Sequence, residues 1–163
     1  MSEDSHSESD YYPLIDRASQ DDIHSISELL SLYAGKGLLL PLTDKQVSSA
    51  ISSFAVARSE DGKVIACAAL KDFGSGLYEV RSLAVHPKFT GCRIGSSLVK
   101  FLLENSGIPK GGRVFALTYR VSFFLKLGFS SVEKNRFPEK IWHDCDNCPK
   151  KDHCDEQAVL IIC

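Results

Sequence analysis

The chain is poor in the features that mark several protein classes. Its 163 residues include one Met, one Trp and only six Pro, so it has no proline-rich linker, and no internal repeat or low-complexity stretch runs through its body. No apolar run approaches the roughly 20 residues of a membrane span. No basic-then-apolar leader opens the chain, which predicts a cytoplasmic protein. It also lacks an excess of charge of either sign. The formal net charge is −2 and the pI about 6.2, against a dedicated binder of nucleic acid or anionic membrane.

What is present fits one globular domain. Hydrophobic residues make up 44% and charged residues 25%, enough for one sizeable core. Residues 1–10 hold four acids, four Ser and no Lys or Arg. That composition buries nothing and predicts a disordered acidic tail. The remainder, 11–163, is mildly positive, suited to an anionic small ligand, and is expected to be one domain with a cysteine-rich segment at 137–155.

Periodicity and turn residues predict the elements. A strand is expected over 11–18. A helix follows, with Ile23, Ile26, Leu29, Leu30 and Tyr33 on one face and Gly35 at its end. Leu38 opens an apolar loop that contains Pro41. Thr43 and Gln46 form a capping box that opens a second helix. A hairpin is expected from strands 54–58 and 63–71, then a long strand over 77–86 that ends at His86-Pro87. After a loop at 88–95 a helix presents Ile94, Leu98, Phe101 and Leu102 and stops at Gly107. A strand at 113–117, a short helix at 121–127 and strands at 129–134 and 157–162 complete the chain. Hairpins followed by βαβ-like units predict an α/β fold, a mixed sheet with helices on both faces.

The most informative stretch is the strand 77–86, the loop with Gly91 and Gly95, and the helix start behind it. First-turn amides lack intrahelical partners and carry partial positive charge, and glycines admit close backbone approach. A pyrophosphate suits such a site. The pattern is neither a Walker loop nor a dinucleotide fingerprint. The alternative reading is a helix start with a packing glycine.

Leu83-Ala-Val-His-Pro followed by Thr90-Gly-Cys-Arg-Ile-Gly resembles motif A of the GCN5-related N-acetyltransferases (GNAT), whose pattern is Arg/Gln-x-x-Gly-x-Gly/Ala. Gly95 matches the last position. Thr90 and Arg93 stand where the family has Arg/Gln and Gly. The element order, Phe115-Ala-Leu-Thr and Phe123-Phe-Leu-Lys-Leu-Gly-Phe extend the resemblance over roughly residues 11–132. It implies acetyl-CoA held between splayed strands 77–86 and 113–117. The pantetheine would lie along Leu83, Ala84 and Val85. The pyrophosphate would lie on Thr90, Gly91, Cys92, Arg93, Ile94, Gly95 and Ser96. Gly37-Leu-Leu-Leu-Pro, Glu79-Val-Arg-Ser-Leu-Ala-Val and the segment from Pro138 through Cys154 are similar to short stand-alone N-acetylglutamate synthases. Many synthases carry Arg after Leu-Leu-Pro, where this chain has Leu42.

The resemblance implies an acetyl-CoA-dependent N-acetyltransferase, with L-glutamate as acceptor for arginine biosynthesis and direct attack in a ternary complex. Alternatives are another small amine or a protein amine, or a non-catalytic acyl-CoA-binding regulatory module. No partner beyond the small molecule is implied, though a homodimer is compatible with the sequence. Glu79 is the candidate base, on the strand where the family often carries an acid; the alternative is a salt-bridged strand carboxylate. The family's general-acid Tyr is Phe124 here, so Tyr119 and Ser122 are candidate proton donors, with water as alternative. A dicarboxylic amino acid calls for paired cations. Arg81 shares a strand face with Glu79, Leu83 and Val85 by period-two alternation, and Lys36 and Arg120 are further candidates. His86 reads as a strand terminator.

Six cysteines are present. Cys145, Cys148 and Cys154 cluster, and the spacing of the first pair is half of a zinc knuckle. A structural Zn would need a fourth ligand, His143 or Cys163 before His153. Free thiols, or a disulfide formed on isolation, are the alternatives.

Overall fold

The computed structural model describes residues 13–37, 39–91, 93–133 and 157–163. Seven strands hydrogen-bond in the order β1-β2-β3-β4-β5-β7-β6. They are β1 (Leu14–Arg17), β2 (Phe54–Arg58), β3 (Val64–Asp72), β4 (Leu77–Val85), β5 (Arg113–Thr118), β6 (Ser130–Val132) and β7 (Gln157–Ile162). The helices are α1 (Ile23–Ala34), α2 (Asp44–Ser49), α3 (Ile94–Asn105) and α4 (Val121–Leu125). The β1–β2, β2–β3, β5–β7 and β6–β7 pairs are antiparallel and β4–β5 is parallel, so the sheet is mixed, as expected. Among the described residues no helix is long and apolar enough to cross a membrane.

The described residues fall into two compact units, one within residues 13–69 and 82–106, the other within 70–81, 107–133 and 157–163. In the first, β2 reads Phe-Ala-Val-Ala and is buried along that whole run, the signature of a strand covered on both faces. Ile26, Leu30, Val47, Phe54 and Cys67 form its core. The predicted capping box opens α2. The Thr43 hydroxyl accepts from the Gln46 N–H at 3.1 Å, and the Gln46 side-chain Oε1 accepts from the Thr43 N–H at 2.9 Å. Asp22, just before α1, holds Arg58 at the end of β2 at 2.5 Å. Arg17 of β1 donates to the Asn105 carbonyl at 2.5 Å and to Ser106 Oγ at 3.1 Å, so a cation meets the negative end of α3.

In the second unit Leu77, Phe115, Ala158 and Leu160 form the core. The turn after β3 is built on three consecutive left-handed residues, Gly74, Ser75 and Gly76, with φ of 82°, 56° and 76°. Asp72 Oδ1 accepts from the Gly74 N–H at 2.7 Å.

The elements fall where periodicity put them, several with shorter ends and two, β3 and β5, running one residue further, to Asp72 and Thr118. The first strand begins at Leu14, a 3-10 turn (Gln20–Asp22) precedes α1, the short helix stops at Leu125, and β6 covers only Ser130–Val132. Gly35 closes α1 with an ordinary right-handed φ of −61°; the left-handed residue is Gly37, φ 73°. The expected tail 1–10, the strand start at Tyr11, Leu38, Cys92 and the segment 137–155 lie outside the described residues.

Candidate active site

β4 carries the candidate residues Glu79, Arg81, Leu83, Ala84 and Val85, and its backbone is irregular. Ser82 has φ 54° in mid-strand. A non-glycine residue held there costs about 1 kcal/mol or more and marks a bulge that interrupts alternation. The expectation that Arg81, Leu83 and Val85 all share Glu79's face is therefore corrected. Two-residue alternation joins Glu79 to Arg81 and stops at Ser82. Parallel pairing of β4 with β5 is registered at Leu77↔Arg113, Tyr78↔Val114 and Glu79↔Phe115.

Glu79 is buried. Its Oε1 accepts from Arg81 Nε at 2.8 Å and also from Arg81 Nη2. Base candidate and substrate-binding candidate are thus one ion pair. The Arg81 guanidinium lies 5.8 Å from the centre of the Phe73 ring, and Lys71 Nζ lies 5.1 Å from the same centre. Phe73 in turn packs on Phe115 with ring centres 5.9 Å apart. Two cations thus lie against one aromatic ring. Sequence reading missed Lys71 and Phe73, because the turn after β3 brings them to Arg81 and no local pattern announces that.

The other candidate cations have different neighbours. Lys36 Nζ sits 5.5 Å from the Tyr33 ring centre and the Arg120 guanidinium 6.0 Å from that of Phe123. Tyr119 is 37% exposed, and Ser122 is exposed in the first turn of α4. Phe124 is buried against Phe123 and Phe129, with ring centres 5.0 and 5.1 Å away. The position where the family pattern has a tyrosine is here a core residue.

Beyond β4, His86 accepts from the Lys88 N–H at 3.2 Å and caps a 3-10 turn, Pro87–Phe89. It is the strand terminator that the sequence suggested. The Thr90 hydroxyl donates to the Pro87 carbonyl at 3.1 Å. Gly91 has φ 88° and Arg93, the N-cap of α3, φ 61°. This explains the family's glycine at the Arg93 position: the turn needs a left-handed residue, and arginine adopts that conformation at a cost. Arg93 makes no side-chain cap to α3. The first intrahelical bond runs from the Ser97 N–H to the Arg93 carbonyl, 3.1 Å. The amides of Ile94, Gly95 and Ser96 therefore form an uncapped first turn, an electropositive cradle.

Two contacts in the first unit escaped sequence reading. Tyr33, predicted on the apolar face of α1, donates its hydroxyl to the Val85 carbonyl; a half-buried phenol needs such a partner. Cys67 is fully buried, and burial pushes its thiol up to about 12, the Ala84 N–H offsetting part of this. Near the loop that bears Lys36, Asp44 of α2 clasps α1. It accepts from Ser27 Oγ and bonds His24 Nδ1 at 3.0 Å. The Asp44 hydrogen bond, ahead of the charges of Asp44 and Glu28, holds His24 above its ordinary value. An open groove of about 760 Å³, lined by Asp21, Ser25, Glu28, Leu32, Lys63 and His86 among others, includes none of the candidate catalytic, coenzyme or substrate residues. Cys145, Cys148 and Cys154 lie outside the described residues, and among the described residues no group of three His, Cys, Asp or Glu is placed to hold a metal ion.

Residues 50–131 match the model of the acetyltransferase (GNAT) domain. An uncharacterised N-acetyltransferase of Chlorobaculum tepidum is 39% identical over 142 residues, 85% of this chain and 89% of the relative. An amino-acid acetyltransferase of Mycobacterium tuberculosis is 38% identical over 126 residues, 76% of this chain and 72% of the relative. The solved N-acetylglutamate synthase of Neisseria gonorrhoeae, complexed with coenzyme A and N-acetyl-glutamate, superposes with a TM-score of 0.81 at 25% identity, over 93% of this chain and 35% of that one. The chain thus spans about a third of that synthase. With sheet order, uncapped helix and sequence in agreement, this chain belongs to the GNAT acetyltransferase family.

Proposed function

We propose that the protein is an acetyl-CoA-dependent amino-acid N-acetyltransferase that makes N-acetyl-L-glutamate, the first step of arginine biosynthesis, by direct attack in a ternary complex. The observation that carries the coenzyme half is the uncapped first turn of α3, entered through left-handed Gly91 and Arg93. Its amides suit a pyrophosphate and leave little need for a signature Arg or Gln at Thr90. Acetyl-CoA supplies the activated acyl group. The backbone at Leu83, Ala84 and Val85 would hold its pantetheine arm.

For the acceptor half, Glu79 receives a proton from the attacking ammonium, directly or through water. The neutral nitrogen attacks the thioester carbonyl, the tetrahedral adduct loses its second N–H proton to solvent as the C–S bond breaks, and the departing thiolate takes up a proton from solvent. Arg81 and Lys71 bind the two carboxylates of glutamate. Their placement on Phe73 supplies the charge that Leu42 does not. Tyr119 and Ser122, both exposed, serve less well than water as the proton source.

Two measurements test this. The twenty amino acids are offered with acetyl-CoA and the released coenzyme is followed by chromatography, because the protein's own six cysteines would react with a thiol reagent. Glutamate is expected to give the highest kcat/KM. Coenzyme binding without turnover on any amine would make the protein a regulatory module, and better turnover with a polyamine would move the acceptor elsewhere. In the second, Glu79→Gln is expected to lower kcat at neutral pH by about 100-fold and to reshape the acidic limb of the rate profile. A wild-type profile in that variant removes Glu79 from the mechanism.

A further inference from the structure

Cys67 lies in β3 with no exposed surface. Its thiol donates to the Ser82 carbonyl, with Sγ 3.4 Å from the oxygen. Ser82 is the residue whose backbone leaves the extended region, at φ 54°. A bulge takes one residue out of the regular ladder, and here the Cys67 side chain bonds the carbonyl of the irregular residue. Four residues further on, the His86 N–H donates to the Ile65 carbonyl of β3 at 2.7 Å.

In a strand, neighbouring residues send their N–H and C=O groups to opposite edges. With the Ser82 carbonyl and the His86 N–H both bonded to β3, the same alternation turns the polar groups of Leu83 and Val85 to the other edge. Consistent with that, the Val85 carbonyl takes its hydrogen bond from Tyr33. Sulfur suits the task. It offers a weak donor and a weak acceptor in one atom, on a side chain small and apolar enough for the core. A thiol buried this deeply stays protonated, so it remains a donor and carries no acetyl group.

We propose that Cys67 is a positioning residue for acetyl transfer, holding the β4 bulge so that the Leu83 and Val85 backbone faces the acyl-pantetheine of acetyl-CoA. This rests on the reading above that the second half of β4 receives acetyl-CoA. No covalent step is involved; the thiol acts through the backbone it fixes.

The test compares Cys67→Ala, Cys67→Val and Cys67→Ser with the wild-type protein, by kcat, the KM of each substrate, coenzyme A affinity and Tm. Ala and Val are expected to lower kcat by about tenfold or more, since a small misplacement of the reacting group is costly, with the glutamate KM within about twofold. Ser, which keeps a donor and an acceptor, is expected to recover most of that loss. Packing alone would lower Tm and leave the kcat of the folded enzyme unchanged, and Val, close to Cys in bulk, carries the test if Ala does not fold. Folded Ala or Val variants with wild-type kcat, or a Ser variant no better than Ala, overturn the positioning role while the acetyltransferase reading stands. A wild-type protein that binds coenzyme A and acetylates no amine overturns both.

Discussion

A glutamate in place of Gly95 is expected to weaken coenzyme A binding by at least about 100-fold, measured by calorimetry on the folded variant. Gly95 is the second residue of α3 and is buried. A carboxylate there meets the uncapped amides itself and sets a negative charge against a pyrophosphate. A fixed like charge within a few ångströms, partly shielded from water, is worth several kcal/mol, and about 2.7 kcal/mol already corresponds to that loss. An acidic residue in a first turn favours the helix dipole, so the charge itself does not work against α3. Because the added bulk enters a packed site, Ser96→Glu, at a half-buried neighbour, is the companion variant and should also bind poorly. Wild-type affinity in both would move the coenzyme away from this loop.

The second large effect is expected from Arg81→Ala. The glutamate KM should rise about 100-fold while the acetyl-CoA KM changes little, since a charge-assisted contact to one substrate is removed. The same substitution strands Glu79, whose side chain is 10% exposed beside an Arg81 that is 32% exposed. Removing one partner of a fully buried pair costs about 3–5 kcal/mol; partial exposure of Arg81 reduces this to about 2 kcal/mol. Adding Glu79→Gln should return most of that stability without returning activity. This separates the charge-burial effect from substrate binding. Equal rises in both KM values would argue that Arg81 supports the fold of the site and touches no carboxylate.

Much of the fold was legible because local rules and tertiary packing agree. Thr43 and Gln46 announce α2 by chemistry that needs no context, and turn residues between two short apolar runs announce the β2–β3 hairpin. The coenzyme loop was legible for the same reason: a strand, a glycine and a helix start are read from neighbours in sequence. What escaped depends on backbone angles that side chains do not declare. Ser82 and Arg93 both hold left-handed φ, and neither carries the glycine that would have signalled it. Strict alternation thus placed Leu83 and Val85 with Arg81, and the departures from the motif at Arg93 looked like losses. The Glu79–Arg81 pair was legible as two residues on one face. Its third and fourth members, Phe73 and Lys71, reach it across a turn.

The position of β7 has a consequence for how the molecule is built. Its six residues lie between β5 and β6, with Arg113 registered on Ile162 and Val132 on Ala158. The β5–β7 ladder joins residues about forty to fifty positions apart, so the entropy of closing that loop must be met before its hydrogen bonds can form. The β2–β3 hairpin closes over a handful of residues. Folding should therefore proceed from the hairpin end of the sheet, with the β5-β7-β6 group assembled late, and slow amide exchange should extend furthest into β2 and β3. Glu79, registered on Phe115 of β5, belongs to the late group. The carboxylate proposed to accept the substrate's proton is thus among the last groups set in place, and among the first released when the sheet opens.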